Sequence, residues 1–210
     1  MARVLIVGAS KGIGFETTLQ ALAAGHQVRA FARSAPRIKA DPRLEIVKGN
    51  ALKAADLEAA VEGVDVVIQT LGIGFSDMIG PVRLFSDSTR HLVAAMQKHG
   101  VRRLIAVTGF GAGDSRSSIN LLQYGPFVLV FGRAYDDKSR QEKLIKESGL
   151  DWTIARPGVL TNGHKTREYR VLVDKKDWRN GLVSREDVAD FLVREIDDRS
   201  LIGKAPVLIY

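Results

Sequence analysis

The 210-residue chain has no cysteine, which excludes disulfides, thiol nucleophiles and cysteine-ligated metal sites. Long apolar runs are also missing. The strongest, YGPFVLVFG at 124–132, is far shorter than the roughly 18 residues that span a bilayer. No basic start followed by a secretory apolar run opens the chain, because the first residues lead straight into a strand-like segment. A soluble cytoplasmic protein is the resulting expectation. His, Asp and Glu show no metal-ligand spacing, and there is no Gly-x-Ser-x-Gly elbow of a hydrolase. The net charge is +7, yet zinc-finger, basic-zipper and RNA-motif signatures are absent. The densest basic stretch, HKTREYRVLVDKKDWR at 164–179, is itself interrupted by acids. A solvated surface or a phosphate-bearing ligand accounts for this charge without nucleic acid.

What is present is a regular alternation. Val- and Ile-rich runs at Arg3–Val7, Gln27–Ala32, Leu44–Lys48, 65–70, 103–108, 152–156 and 205–209 read as strands. Between them, helical patterns are expected at 13–24, 54–62, 85–99, 135–148 and from Ser184 to about 196, several ending in glycine. Ser184 with Asp187 supplies a capping box for the last of these. Strands apolar throughout and separated by helices predict an α/β fold. It is a single Rossmann-like domain over 1–210, with a doubly wound parallel sheet and helices on both faces. No repeat or linker divides it. Ligands of such sheets sit beyond the carboxyl ends of the strands, which nominates the loops after Val7, Ala32, Thr70, Thr108 and Arg156.

The first of these loops is GASKGIG, residues 8–14, placed after a strand and opening a helix. Its glycines permit a tight turn and close approach to a pyrophosphate resting on the helix N-terminus. The second loop decides between the nicotinamide cofactors. NAD binders place an acid about 20 residues after the last glycine. Here that place is held by Arg33, followed by Ser34, and Lys11 adds a cation inside the glycine loop. An arginine forks onto a 2′-phosphate, so NADP(H) is expected in preference to NAD(H).

The segments GASKGIG, ARS, GNALKAADLEAAVEGVDVVIQTLG, LVAAMQKHGVRRLIAVT and KLIKESGLDWTIARPGVLT resemble the atypical short-chain dehydrogenases/reductases. Within that family the sequence is most similar to the biliverdin-IXβ reductase/flavin reductase branch, next to the NmrA-like proteins. The resemblance implies that Gly8, Ser10, Lys11, Gly12, Ile13 and Gly14 hold the pyrophosphate, and Arg33 with Ser34 the 2′-phosphate. Asn50 and Ala51, in place of the family's aspartate and its neighbour, would flank the adenine, while Leu71 and Gly72 would line the ribose. Thr108 would stand at the nicotinamide end, and Pro157, Gly158 and Val159 would present backbone to the carboxamide. The Arg156-Pro157 pair also reads as a plain strand terminator.

Many relatives use Tyr-x-x-x-Lys on one helix face, where lysine grips the nicotinamide ribose and lowers the pKa of a proton-donating phenol. By the same resemblance Lys138 takes the lysine place, but the tyrosine place is Ala134. Tyr135 is one residue late and turned by about 100° from the expected direction. Lys138, Thr108 and Tyr135 are the candidate catalytic residues, with Tyr135 expected to line the pocket rather than donate a proton. Two polar residues of the branch are replaced as well, a serine by Gly109 and a histidine by Val159. Hydride transfer between stacked π-systems depends least on such groups.

Substrate loops are expected at about 73–81, 109–133 and 159–180. Phe75, Met78, Phe110, Tyr124, Phe127 and Phe131 offer either a wall for an aromatic or conjugated small molecule or a core satellite, and 124–132 alternatively a dimer contact. His164 is a further candidate acid. A monomer or homodimer that reduces a flavin, quinone or bilin-like acceptor is the expectation. The alternatives are a non-catalytic NADP(H) sensor of NmrA-like type and a sugar-nucleotide epimerase-like enzyme.

Overall fold

Val4 and Ile6 point to one side of the first strand, Leu5 and Val7 to the other, and all four side chains are fully buried. A strand apolar on both faces requires a layer on each side of its sheet. The computed structural model, which describes residues 1–36, 38–73, 82–119 and 121–210 (without the side chains of 121–130), supplies both layers.

The sheet contains β1 (Arg3–Val7), β2 (Gln27–Ala32), β3 (Leu44–Lys48), β4 (Val66–Gln69), β5 (Arg103–Val107), β6 (Asp151–Pro157), β8 (Arg170–Leu172) and β10 (Val207–Ile209). Their order is β3-β2-β1-β4-β5-β6-β10-β8. Every pairing is parallel except that of β8, which runs antiparallel to β10 at the edge. Two further strands, β7 (Val159–Thr161) and β9 (Leu182–Ser184), form a separate parallel pair. On one face lie α1 (Gly12–Ala23) and α5 (Arg185–Arg194), whose Leu22, Val188, Phe191 and Leu192 join the core around Val4 and Ile6. On the other lie α2 (Ala54–Val61), α3 (Leu84–Lys98) and α4 (Leu121–Lys146). They bring Leu57, Leu92, Met96 and Ile145 against Leu5 and Val7.

The chain leaves β1 toward β2 on one side and β4 on the other. The order reverses there, and sheets of this kind bind ligands beyond the carboxyl ends of the strands at that point, here β1 and β4. Three features depart from the sequence expectation. The loop-rich insert expected over 109–133 contains a 3₁₀ helix at Gly113–Ser118 and then the first half of α4. Strand β6 runs through Pro157 rather than stopping before it, because Pro157 needs no N–H in its pairing with Leu208. The three short strands β7, β8 and β9 were not expected. The wholly parallel sheet of the expectation is thereby corrected at one edge.

Asp137 shows how α4 positions the start of α3. Its buried carboxylate accepts the Phe85 and Ser86 N–H groups at 2.8 and 3.2 Å, together with the Ser86 hydroxyl. Two N–H groups of the α3 first turn therefore gain a charged acceptor from another helix, since Arg83 at the N-cap supplies none. Gln69 adds a second tie. Its side chain bonds Ser88, Thr89 and Gln141, joining β4, α3 and α4.

Candidate active site

Gly8 leaves β1 at φ +99°, and its N–H donates to the Phe31 carbonyl at 2.9 Å. A Cβ on Gly8 would stand 3.0 Å from the Thr70 carbonyl oxygen. One on Gly14 would run into the Gly8 carbonyl and stand 2.5 Å from Thr70 Oγ1. The loop backbone thus lies directly on the end of β4, an approach only glycine allows. Helix α1 then begins with Lys11 at its N-cap in extended conformation, and no side chain among the described residues accepts its first N–H groups. A glycine cradle opening onto an uncapped helix start is the arrangement that receives a phosphate. Lys11 is exposed, Ser10 is half-buried, and Ile13 packs partly against the core.

Arg33 and Ser34 follow β2 directly, both exposed, and Arg33 has no carboxylate partner among the described residues. Asn50 is committed locally. Its Oδ1 accepts the Leu52 N–H at 3.1 Å, and its own N–H donates to Asp56 at 2.8 Å. The asparagine therefore holds the turn after β3 beside buried Ala51, which leaves its amide NH2 for a ligand. Leu71 is half-buried and Gly72 is exposed, with none of the described residues near the place of its Cβ.

The far end of the site is built on charge. Thr108, buried just past β5, gives its carbonyl to the Lys138 ammonium and its hydroxyl to Glu142 Oε1 at 2.8 Å. Glu142 lies one helical turn beyond Lys138 and is itself buried against the guanidinium of Arg156 on β6, with Nε to Oε1 at 2.9 Å. Arg156 also bonds Asp114 and lies over the Trp178 ring at 4.8 Å, while Lys146 reaches Glu142 at 3.5 Å. Burial lowers the Arg156 pKa, but Glu142 and Asp114 more than offset it and leave it raised. Asp114 is affected in turn: burial raises its carboxyl, and Arg156 and Lys146 hold it below the usual range. For Lys138 desolvation wins. Its pKa is brought down to about 8, with Glu142 opposing the shift.

Tyr135 joins this end from α4. Lys138 Nζ stands 5.4 Å from the Tyr135 ring centroid and 5.1 Å from that of Phe85, and Phe131 meets the Tyr135 ring edge-on at 6.3 Å. A Cβ on Gly109 would stand 2.7 Å from the Tyr135 hydroxyl, so this tyrosine fills the space that a serine at 109 would need. Burial raises the phenol pKa. A phenol with a raised pKa is a poor proton donor at neutral pH. The structure thus brings Thr108, Lys138 and Tyr135 together, and burial works against proton donation by the tyrosine.

The loop after β6 uses two of its backbone donors within the fold. The Gly158 N–H already bonds Leu208 O at 3.0 Å, and the Val159 N–H bonds Gly181 O at 2.8 Å, so neither donor is free for a carboxamide. What this segment offers is the Val159 side chain, 54% exposed beside an equally exposed Leu182 on the paired strand. Pro157 O accepts the Phe110 N–H at 2.9 Å. Phe110 is a core residue packed on Val207 and Ile209, not part of a substrate wall. His164 is fully exposed, 3.9 Å from Glu186. Phe75, Met78 and most of loop 73–81 lie outside the described residues, as do the side chains of Tyr124 and Phe127. Glu142, Asp114 and Asp137 were not anticipated. A Lys-x-x-x-Glu spacing was the one available signal for Glu142.

A family model described as NAD(P)H-binding matches residues 8–199. An uncharacterized chloroplastic protein of Arabidopsis thaliana is 30% identical over 92% of this chain and 71% of its own length. A Bacillus subtilis protein described as an uncharacterized sugar epimerase is 28% identical over 97% of this chain and 92% of its own. Among solved structures, an anaerobilin reductase from Escherichia coli O157:H7 superposes with a TM-score of 0.82 at 26% identity, covering 99% of this chain and 96% of that one.

Proposed function

The chain belongs to the NAD(P)H-binding family and is an oxidoreductase of short-chain dehydrogenase/reductase type, and from that premise we propose that it is an NADPH-dependent reductase of a flat conjugated acceptor. The carrying observation is the substrate end. The exposed Val159 and Leu182 side chains give it apolar surface, and the Tyr135 phenol beside Lys138 has a raised pKa. Such a surface favours stacking over delivery of a proton by a tuned acid, which suits a flavin, quinone or bilin-like molecule. The anaerobilin reductase likeness supports the bilin-like end of that range. When bound, the cofactor supplies the hydride.

The chain's own residues hold and orient. The glycine loop and the first turn of α1 would carry the pyrophosphate, and Arg33 with Ser34 the 2′-phosphate. Lys138, fixed by the Thr108 carbonyl, would hold the nicotinamide ribose. Acceptor-dependent loss of the NADPH absorbance band, over a panel of FMN, FAD, quinones and biliverdin with an NADH control, tests this reading. No loss with any acceptor argues against it. Arg33→Asp is expected to raise the KM for NADPH by roughly 10–100-fold, the loss of about 1.5–3 kcal/mol from a hydrogen bond to a charged group, while NADH kinetics change little.

Lys138 adds a pH signature. Its ammonium binds ribose hydroxyls only as a donor, so activity should fall as pH rises through about 8. Stability should move the opposite way. The unfolded lysine, with a pKa of roughly 10.4, binds more protons than the folded one above pH 8, so stability rises with pH between those values. Parallel rate and urea-denaturation profiles check the pair of trends, and Lys138→Met should flatten both.

A second reading is a cofactor-sensing regulator, favoured by the raised pKa of Tyr135. Tight NADPH binding without turnover on any acceptor would select it. The sugar epimerase-like reading has the Bacillus subtilis relative's description behind it, but an epimerase that shuttles a proton through tyrosine needs the phenol pKa lowered.

A further inference from the structure

Arg185, the first residue of α5, lies beside the glycine loop although the two are far apart in sequence. Its Cδ and Nε stand 3.9 Å from the position of a Cβ on Gly12, the nearest described atoms outside Gly12's own stretch of chain. One terminal nitrogen, Nη1, is anchored to the Thr161 carbonyl at 3.0 Å and to Asn162 Oδ1 at 2.7 Å. The Nε and Nη2 donors have no partner among the described residues, and no carboxylate ion-pairs with this guanidinium. That free edge is the fork with which arginine grips two oxygens of a phosphate.

A cation at the first position of a helix opposes the positive end of the helix dipole. The uncapped start of α1 begins at Gly12, and Lys11 adds another positive charge. Glu186 and Asp187, the adjacent acids, are turned elsewhere. Glu186 accepts the Lys165 N–H at 2.8 Å, and Asp187 takes Tyr210, Thr166 and Ser184.

We propose that Arg185 binds the diphosphate of the dinucleotide, closing the glycine loop from the side of α5. The assignment rests on the dinucleotide reading of that loop. It makes the phosphate site two-sided: backbone N–H groups from α1 and a side-chain fork from α5, steadied by the end of β7. It also separates two roles for cations, because Arg33 serves the 2′-phosphate that only NADPH carries, whereas Arg185 serves the diphosphate that both cofactors share.

Fluorescence titration of the whole protein with NADPH and with NADH, at several salt concentrations, tests this without turnover. Arg185→Gln keeps a polar side chain but removes the charge, the fork and the reach of Nη1 to Thr161 and Asn162. It should weaken both dinucleotides by about the same factor, roughly tenfold, and shallow the salt dependence of each, while Arg185→Lys recovers part of the loss. Unfolding midpoints measured without ligand separate this from a structural defect, since a purely structural role would not change the salt slope. Unchanged affinity in Arg185→Gln overturns the assignment, and so does loss confined to NADPH, which would place Arg185 on the 2′-phosphate. Failure of the wild-type protein to bind either dinucleotide removes the loop reading itself together with this assignment.

Discussion

Glu142→Ala is expected to destabilise the protein by about 3–5 kcal/mol, read as a lowered urea midpoint with an unchanged slope. The carboxylate is buried with its partner Arg156, and it also accepts the Thr108 hydroxyl. Removing it strands a fully buried guanidinium on Asp114, which is half exposed, and on the face of Trp178. Neither replaces a second carboxylate in a dry site. The double replacement Glu142→Met with Arg156→Met removes both charges at once, and such a swap is often neutral or stabilising by about 1–4 kcal/mol. Recovery of most of the lost stability in the double variant would show that the cost of the single change is an orphaned charge rather than a cavity. The single change also releases the Thr108 hydroxyl and takes an opposing negative charge from Lys138. Its pKa should then fall further below 8, and the pH at which activity declines should fall with it.

Gly14→Ala should cost dinucleotide affinity by more than about tenfold, some 1.4 kcal/mol, along with roughly 1–3 kcal/mol of stability from overpacking. The new methyl would meet the Gly8 carbonyl, which is backbone and cannot swing aside, and the Thr70 hydroxyl, which already bonds Val7 O at 3.0 Å. Relief requires the glycine loop to lift off the end of β4, and the first turn of α1 moves with it. Calorimetric titration with NADPH reads the affinity, and thermal unfolding without ligand reads the stability. An alanine variant that binds normally would mean that the loop accommodates the methyl without moving the phosphate donors.

The central strands and their helices were legible because burial on both faces leaves unbroken Val and Ile runs, and glycine marks the helix ends. Arg3–Val7, Gln27–Ala32 and Leu44–Lys48 fall where expected, and the expected bounds of α1, α2 and α3 lie within about a residue of those observed. The first half of α4 was not legible, because Gly125, Pro126 and Gly132 are breaking signals in a segment that is nonetheless helical. Three-residue strands such as β7 and β9 are too short to show a period. The glycine loop was visible as a local motif. The Glu142–Arg156 pair was not, because two charged residues fourteen positions apart on a helix and a strand reveal their partnership only when the strand packs beneath the helix. Nor was Arg185, whose neighbour Gly12 is set by the packing of α5 on α1.

Tyr135 shows the limit of motif reading most clearly. Its position beside Lys138 imitates a familiar proton-donating pair, yet its hydroxyl sits over Gly109 with a raised pKa. The reductase account therefore asks nothing of that phenol, and Tyr135→Phe should leave reduction of a conjugated acceptor largely intact.

Mixing the protein loaded with stoichiometric NADPH against an excess of acceptor, and following the NADPH band in a single turnover, tests the account most directly. It predicts loss of the bound NADPH only when acceptor is present, slower when the nicotinamide C4 hydrogens are deuterium. Tight binding with a band that does not change for any acceptor would contradict it.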